Sequence, residues 1–91
     1  MIKVDLENMG TINKNKINIT TDKTDTTLYF SYSTIVGFNQ YYEGKQYEAI
    51  CQNEWSNTTG KLLNELEPDK SKRVKRDDFN MLLNDCLIRI S

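Results

Sequence analysis

The chain has 91 residues and a formal net charge of -1, with 13 acidic and 12 basic side chains and no histidine. That length sets a single domain over 1–91. Its core is small enough that three Phe, five Tyr and one Trp must supply much of the buried area. Without histidine the chain lacks the commonest general base and the commonest transition-metal ligand.

Residues 2–6 alternate Ile2, Val4 and Leu6 with Lys3 and Asp5, the period-two pattern of a strand with one wet face. Asn8-Met9-Gly10 reads as a turn. Ile17 and Ile19 alternate with polar neighbours, predicting a second strand within 11–21, and the polar run Thr21 to Thr26 closes a hairpin. Over 27–38, Leu28, Phe30, Tyr32, Thr34, Val36 and Phe38 share one parity, predicting a single long strand with its even side on the core. Gly37 marks a bulge or the strand's end. Asn39 to Lys45 reads as a turn, and 46–53 as a fourth strand. In that strand Ile50 opposes the parity of Tyr47, Ala49 and Cys51, so both faces are partly covered, as suits a central position.

Beyond Trp55 the period changes. Thr59, Leu62, Leu63 and Leu66 stand at helical spacing, with Ser56 or Asn57 as the N-cap and Pro68 as the stop. A basic loop over 69–75 leads to a second helix at 76–89. There Phe79, Leu82, Leu83, Cys86, Leu87 and Ile90 form one apolar stripe. Asp77 and Asp78 in its first turn and Arg89 in its last both suit the helix dipole. The expected fold is α+β: an antiparallel sheet of about four strands followed by two C-terminal helices packed on one face.

Chemistry is sparse. Two cysteines without histidine, 35 positions apart, do not make a zinc site. No nucleophile elbow occurs, and no carboxylate pair has a context that favours acid–base work. The chain is therefore expected to be no enzyme and to hold no cofactor or metal. Gly60-Lys61 suggests a phosphate loop, but Trp55 and Leu62 occupy the positions where that loop needs glycine and Ser or Thr. Thr58 to Lys61 remains a helix start at which an anion would sit well, against the plainer reading of a capped helix. Trp55 reads as a core anchor, with stacking on a ligand as its alternative.

Charge is better organised than its total suggests. Lys70, Lys72, Arg73, Lys75 and Arg76 fall within seven positions, and the rest of the chain carries seven basic against thirteen acidic residues. That cluster is either a solvated connector or an element that grips phosphates or an acidic protein surface. Tyr29, Tyr41 and Tyr42, off the core parity, are stacking or interface residues, or else cross-strand packing on a wet face. The opening residues meet charge too early for a secretory leader, and no apolar run approaches a bilayer span of about 20 residues. The expectation is a cytoplasmic protein without membrane contact, in which Cys51 and Cys86 stay reduced and the sequons at Asn18 and Asn57 stay unused.

The segment Trp55-Ser56-Asn57-Thr58-Thr59-Gly60-Lys61-Leu62-Leu63-Asn64, with the basic connector and Phe79 behind it, resembles a family of small phage and plasmid proteins of unknown function. Their pattern runs Trp-Ser-x-Thr-Thr-Gly-Lys-His-Leu-Asn; Thr27-Leu28-Tyr29 resembles a run they carry earlier, and Leu62 replaces their frequent histidine. The resemblance implies a mobile-element origin and no activity. By association it points to a binding protein in the host cytoplasm that modulates a host protein or protein–nucleic-acid complex, as an anti-defence (anti-CRISPR-like) inhibitor would. Direct nucleic-acid binding through 70–76 and a self-associating homo-oligomeric module with an uncovered strand edge are the alternatives. Lys70, Lys72, Arg73, Lys75, Arg76, Tyr29, Tyr41 and Tyr42 are the expected partner contacts.

Overall fold

A computed structural model describes residues 2–10, 14–52 and 57–91, with side chains from residue 61 onward in the last segment. Five strands, β1 (Lys3–Asn8), β2 (Lys14–Thr20), β3 (Thr24–Ser31), β4 (Thr34–Tyr42) and β5 (Lys45–Ile50), form one antiparallel sheet in chain order. Helix α1 (Asn57–Leu66), a 3-10 turn at Lys70–Lys72, and helix α2 (Arg76–Ile90) follow. The fold is α+β.

The stretch expected as one strand over 27–38 is two. Ser31 pairs with Thr34, so Tyr32-Ser33 is a two-residue hairpin loop, with Tyr32 at φ 56 and 55% exposed rather than core-facing. Tyr32 is not a usual turn former and Ser33 is only a weak turn signal on its own, so the reversal was hidden. Phe30 pairs with Ile35 but Tyr29 with Gly37, so the ladder passes over Val36. That bulge restores parity across the hairpin, and Leu28 comes to share a face with Phe38. Leu28, Phe30 and Phe38 therefore stay on one face as expected, while Val36, expected there with them, turns to the other and packs with Ile50. The turn expected over 39–45 contracts to Glu43-Gly44, both at positive φ (49 and 80), between the paired Tyr42 and Lys45.

Directly opposed residues of an antiparallel ladder share a face. Leu28, Phe38 and Ala49 therefore lie on one side, and α2 packs there through Phe79 and Cys86, with Leu83 at the margin. The Phe38 and Phe79 rings stand 6.0 Å apart at a tilt of 45°. Leu82 and Leu87, expected in the apolar stripe, remain 41% and 39% exposed at its rims, because the stripe is wider than the contact. Ile50 has the opposite parity and packs with Val36, Leu62, Leu63 and Leu66 in a second cluster. The expectation that both helices share one face holds for α2 alone, because α1 meets the sheet from the side of Gly37, Ile50 and Lys14. The Lys14 ammonium lies 3.0 Å from the Glu65 carboxylate on α1. Both faces of β5 are partly covered as expected, through Ala49 on one and Ile50 on the other, yet β5 is an edge strand and not a central one. Its C-terminal end is paired instead by Val74, which donates to the Ile50 carbonyl while the Gln52 amide donates to the Val74 carbonyl.

One core position carries polar chemistry. Gln40 is fully buried, and its amide nitrogen donates to Thr26 Oγ1 and to the Cys86 carbonyl, both at 2.9 Å. Its oxygen accepts from Arg89 Nη1 at 3.0 Å, and the Arg89 guanidinium stacks 3.9 Å above the Tyr47 ring. The last turns of α2 are thus tied to β3, β4 and β5 by directional bonds as well as by apolar contact. Burial raises the Cys86 thiol from 9.0 to about 11, Arg89 opposing the shift, so the sulfur stays protonated at neutral pH. Both cysteines are buried thiols outside any disulfide.

The far end of the sheet is different. α2 packs on β3, β4 and β5 and does not extend over β1. Every residue of β1 is exposed. The strand forms as expected, but its apolar parity is open to solvent along with the polar one: Ile2 is 65% exposed, Val4 59% and Leu6 71%.

Candidate functional site

The basic connector expected over 69–75 is an ordered corner. Asp69 caps the 3-10 turn, its carboxylate accepting from the Ser71 amide at 3.0 Å and the Ser71 hydroxyl at 2.6 Å. Those two bonds lower the Asp69 pKa, with the Lys72 charge adding to them. Arg73 then turns inward. It is 6% exposed, donating from Nε to the Glu67 carbonyl at 3.0 Å and from Nη2 to Asn64 Oδ1 at 2.6 Å. It closes the end of α1, where unpaired carbonyls favour a cation. Next to it, Val74 joins β5.

The five basic residues are therefore not equivalent. Arg73, expected as a partner contact, is a structural clamp, while Lys70, Lys72, Lys75 and Arg76 are exposed. Clustering in sequence could not show this, because a turn sends neighbouring side chains in different directions. Arg73→Met is expected to lower stability by about 2–3 kcal/mol, since it strips charge-assisted bonds from two acceptors. Urea unfolding reads the change. A midpoint equal to that of the unaltered protein would show that the clamp contributes nothing.

The three tyrosines separate as well. Tyr29 and Tyr41 lie on the α1 side of the sheet, with the row Thr27, Asn39 and Glu48 between them. Tyr41 is 56% exposed, whereas Tyr29 is half-buried beside Gly37, where a Cβ would sit 3.5 Å from the Tyr29 ring. Tyr42 is on the opposite side, half-buried, and the charge of neighbouring Glu43 raises its hydroxyl pKa.

Tyr29 and Lys72 do converge. Both line a groove of about 290 Å³ on the α1 side of the sheet. Ile50 and Leu66 supply apolar wall, and Asn39, Glu48 and Glu67 supply polar edge. The volume lies at the lower bound of small-molecule sites, about 300 Å³, and suits one inserted side chain better than a cofactor. The walls present one ammonium, two carboxylates, a phenol and an amide around aliphatic carbon, a set able to orient an amphipathic side chain. Glu48, Glu67, Asn39 and Ile50 had no functional signal in the sequence, because the register of β4 on β5 and the end of α1 jointly place them.

Among the described residues, no group of three or more Cys, Asp or Glu is placed to hold a metal ion. No described helix is long and apolar enough to cross a membrane. Trp55, its Ser56 or Asn57 cap, and the anion-binding reading of Thr58 to Gly60 lie outside the side chains described; Lys61 is exposed on α1. A family model, for a family of unknown function, matches residues 3–81. No curated protein and no solved structure matches the chain.

Proposed function

We propose that this chain, which belongs to the DUF8033 family of unknown function, is a non-enzymatic binding module that engages a host protein or protein–nucleic-acid complex through the Tyr29–Lys72 groove. The observation that carries the reading is convergence: a sheet tyrosine and a lysine 43 positions later open onto one small groove of mixed chemistry. Exposed Lys70 and Lys75 neighbour that groove in sequence and supply charge at its approach. In interfaces of this kind an aromatic anchor in a pocket with a polar rim carries most of the energy. The origin in a phage or plasmid and the anti-defence role rest on the resemblance of Trp55 to Asn64, and they name the partner to look for first: a host defence complex.

The test is capture from host lysate on the immobilised full chain, with nuclease-treated and untreated arms. A protein retained in both arms, and lost on Lys72→Glu and on Tyr29→Ser with circular dichroism unchanged, is the expected result. Retention indifferent to both substitutions overturns the groove. Retention that vanishes with nuclease and declines steeply with salt transfers the function to direct nucleic-acid binding. That reading starts weaker, because Arg73 is spent on the fold and the body outside the cluster is acidic.

A further inference from the structure

Among the described residues the outer edge of β1 is an unpaired sheet edge, and its chemistry is self-complementary. Met9 donates to the carbonyl of Lys14, its direct opposite in the register that pairs Lys3 with Thr20. Antiparallel ladders alternate, so Lys3, Asp5 and Glu7 turn their backbone groups toward β2, while Val4 and Leu6 turn theirs outward. Ile2 continues that parity. The residues whose N–H and C=O face open solvent are thus the ones whose apolar side chains are 59% to 71% exposed. Edge strands normally carry devices that prevent pairing, such as proline, a bulge or a charge turned to the apolar face. Residues 2–8 contain no proline, the β1–β2 register is unbroken, and all three charges lie on the other face.

We propose that β1 pairs antiparallel with β1 of a second copy, centred on Val4 opposite Val4, to make a two-fold continuous sheet. The register follows from elimination. Outward-facing groups require even residues to oppose even residues. Centring on Asp5 sets Asp5 against Asp5 in the close, non-hydrogen-bonded position, and centring on Leu6 sets Asp5 against Glu7 twice. Centring on Val4 sets Ile2 against Leu6 and Lys3 against Asp5, each twice by symmetry, and juxtaposes no like charges. Lys3 and Asp5 already lie on one face, 3.8 Å apart within the chain and largely exposed, so both are free to turn to the partner copy. A second copy of this chain is therefore the occupant that fits by charge and by apolar side chain at once. The edge contact is smaller than the roughly 1,200 Å² of a standard stable interface, so the dimer is concentration-dependent. It lies away from the Tyr29–Lys72 groove and does not depend on it.

Light scattering of the full chain over a concentration series tests the proposal. The mass is expected to rise from 10.6 kDa toward double. Lys3→Asp and Asp5→Lys each place like charges across the dyad and hold the chain monomeric, with unchanged circular dichroism because both sites are on the exposed face. Mixing those two variants restores the double mass, as does combining both substitutions in one chain. A monomer at every concentration sinks the proposal, as does a dimer that ignores the single substitutions. Neither outcome touches the groove, which is read by capture and by variants at Tyr29 and Lys72.

Discussion

Replacing Phe79 by alanine is expected to cost about 3–5 kcal/mol, the usual penalty for emptying a buried aromatic site. A domain of this size has about 5–15 kcal/mol of stability to lose. Phe79 is 1% exposed, packs on Phe38, and is the largest fully buried side chain that α2 contributes to the core. The cavity cannot collapse easily, because its sheet wall (Leu28, Phe38 and Ala49) belongs to hydrogen-bonded strands. Urea denaturation and thermal melting both read the loss, as a lower midpoint with a similar slope. A variant within about 1 kcal/mol of the unaltered protein, the centre of the general mutational distribution, would show that α2 is not what holds this face.

The second large effect belongs to Gln40. Gln40→Leu keeps similar volume but withdraws both donors and the acceptor, leaving Thr26 Oγ1 and the Arg89 guanidinium without their bonds in a closed environment. Unsatisfied buried groups cost about 1–3 kcal/mol each, more for charged ones, so an overall loss of about 2–4 kcal/mol is expected, Arg89 recovering part of its loss by turning to water. Gln40→Glu separates the contributions: the Arg89 bond survives, charge-assisted, the Thr26 hydroxyl reverses to donate to the carboxylate, and the bond to the Cys86 carbonyl is lost. Hydrogen exchange at the C-terminal turns of α2 should accelerate in the leucine variant first, since the Gln40 bonds end there. Unchanged protection at those amides would remove Gln40 as the tie.

The two effects differ in how visible they were beforehand. Phe79 stands near the start of a helical stripe, and spacing marks it as core-facing, although the stripe's rim residues Leu82 and Leu87 stay exposed. Gln40 falls in a stretch dense in Asn, Gln, Tyr and Gly, whose composition reads as a turn. Its burial follows only from the contraction of that turn to Glu43-Gly44 and from the position of Cys86 above it. The candidate site divides in the same way. Clustering marked the basic residues, and parity marked Tyr29. The separation of Arg73 from its neighbours, and the convergence of Lys72 with Tyr29, depend on a corner set by the Asp69 cap and the Val74 bridge.

The sequence by itself determined the element types, the α+β class, the packing stripe of α2, and the lack of histidine for metal or acid–base chemistry. These are properties of composition and of spacing along one element, and local periodicity carries them. Tertiary structure alone decided that 27–38 is a hairpin with a parity-restoring bulge, that α1 and α2 approach opposite faces, and that Arg73 points inward. It also left β1 uncovered, because α2 lies across the other end of the sheet. Each of these depends on which residues distant in sequence become neighbours, and an alternation pattern is the same whether or not anything arrives to cover it.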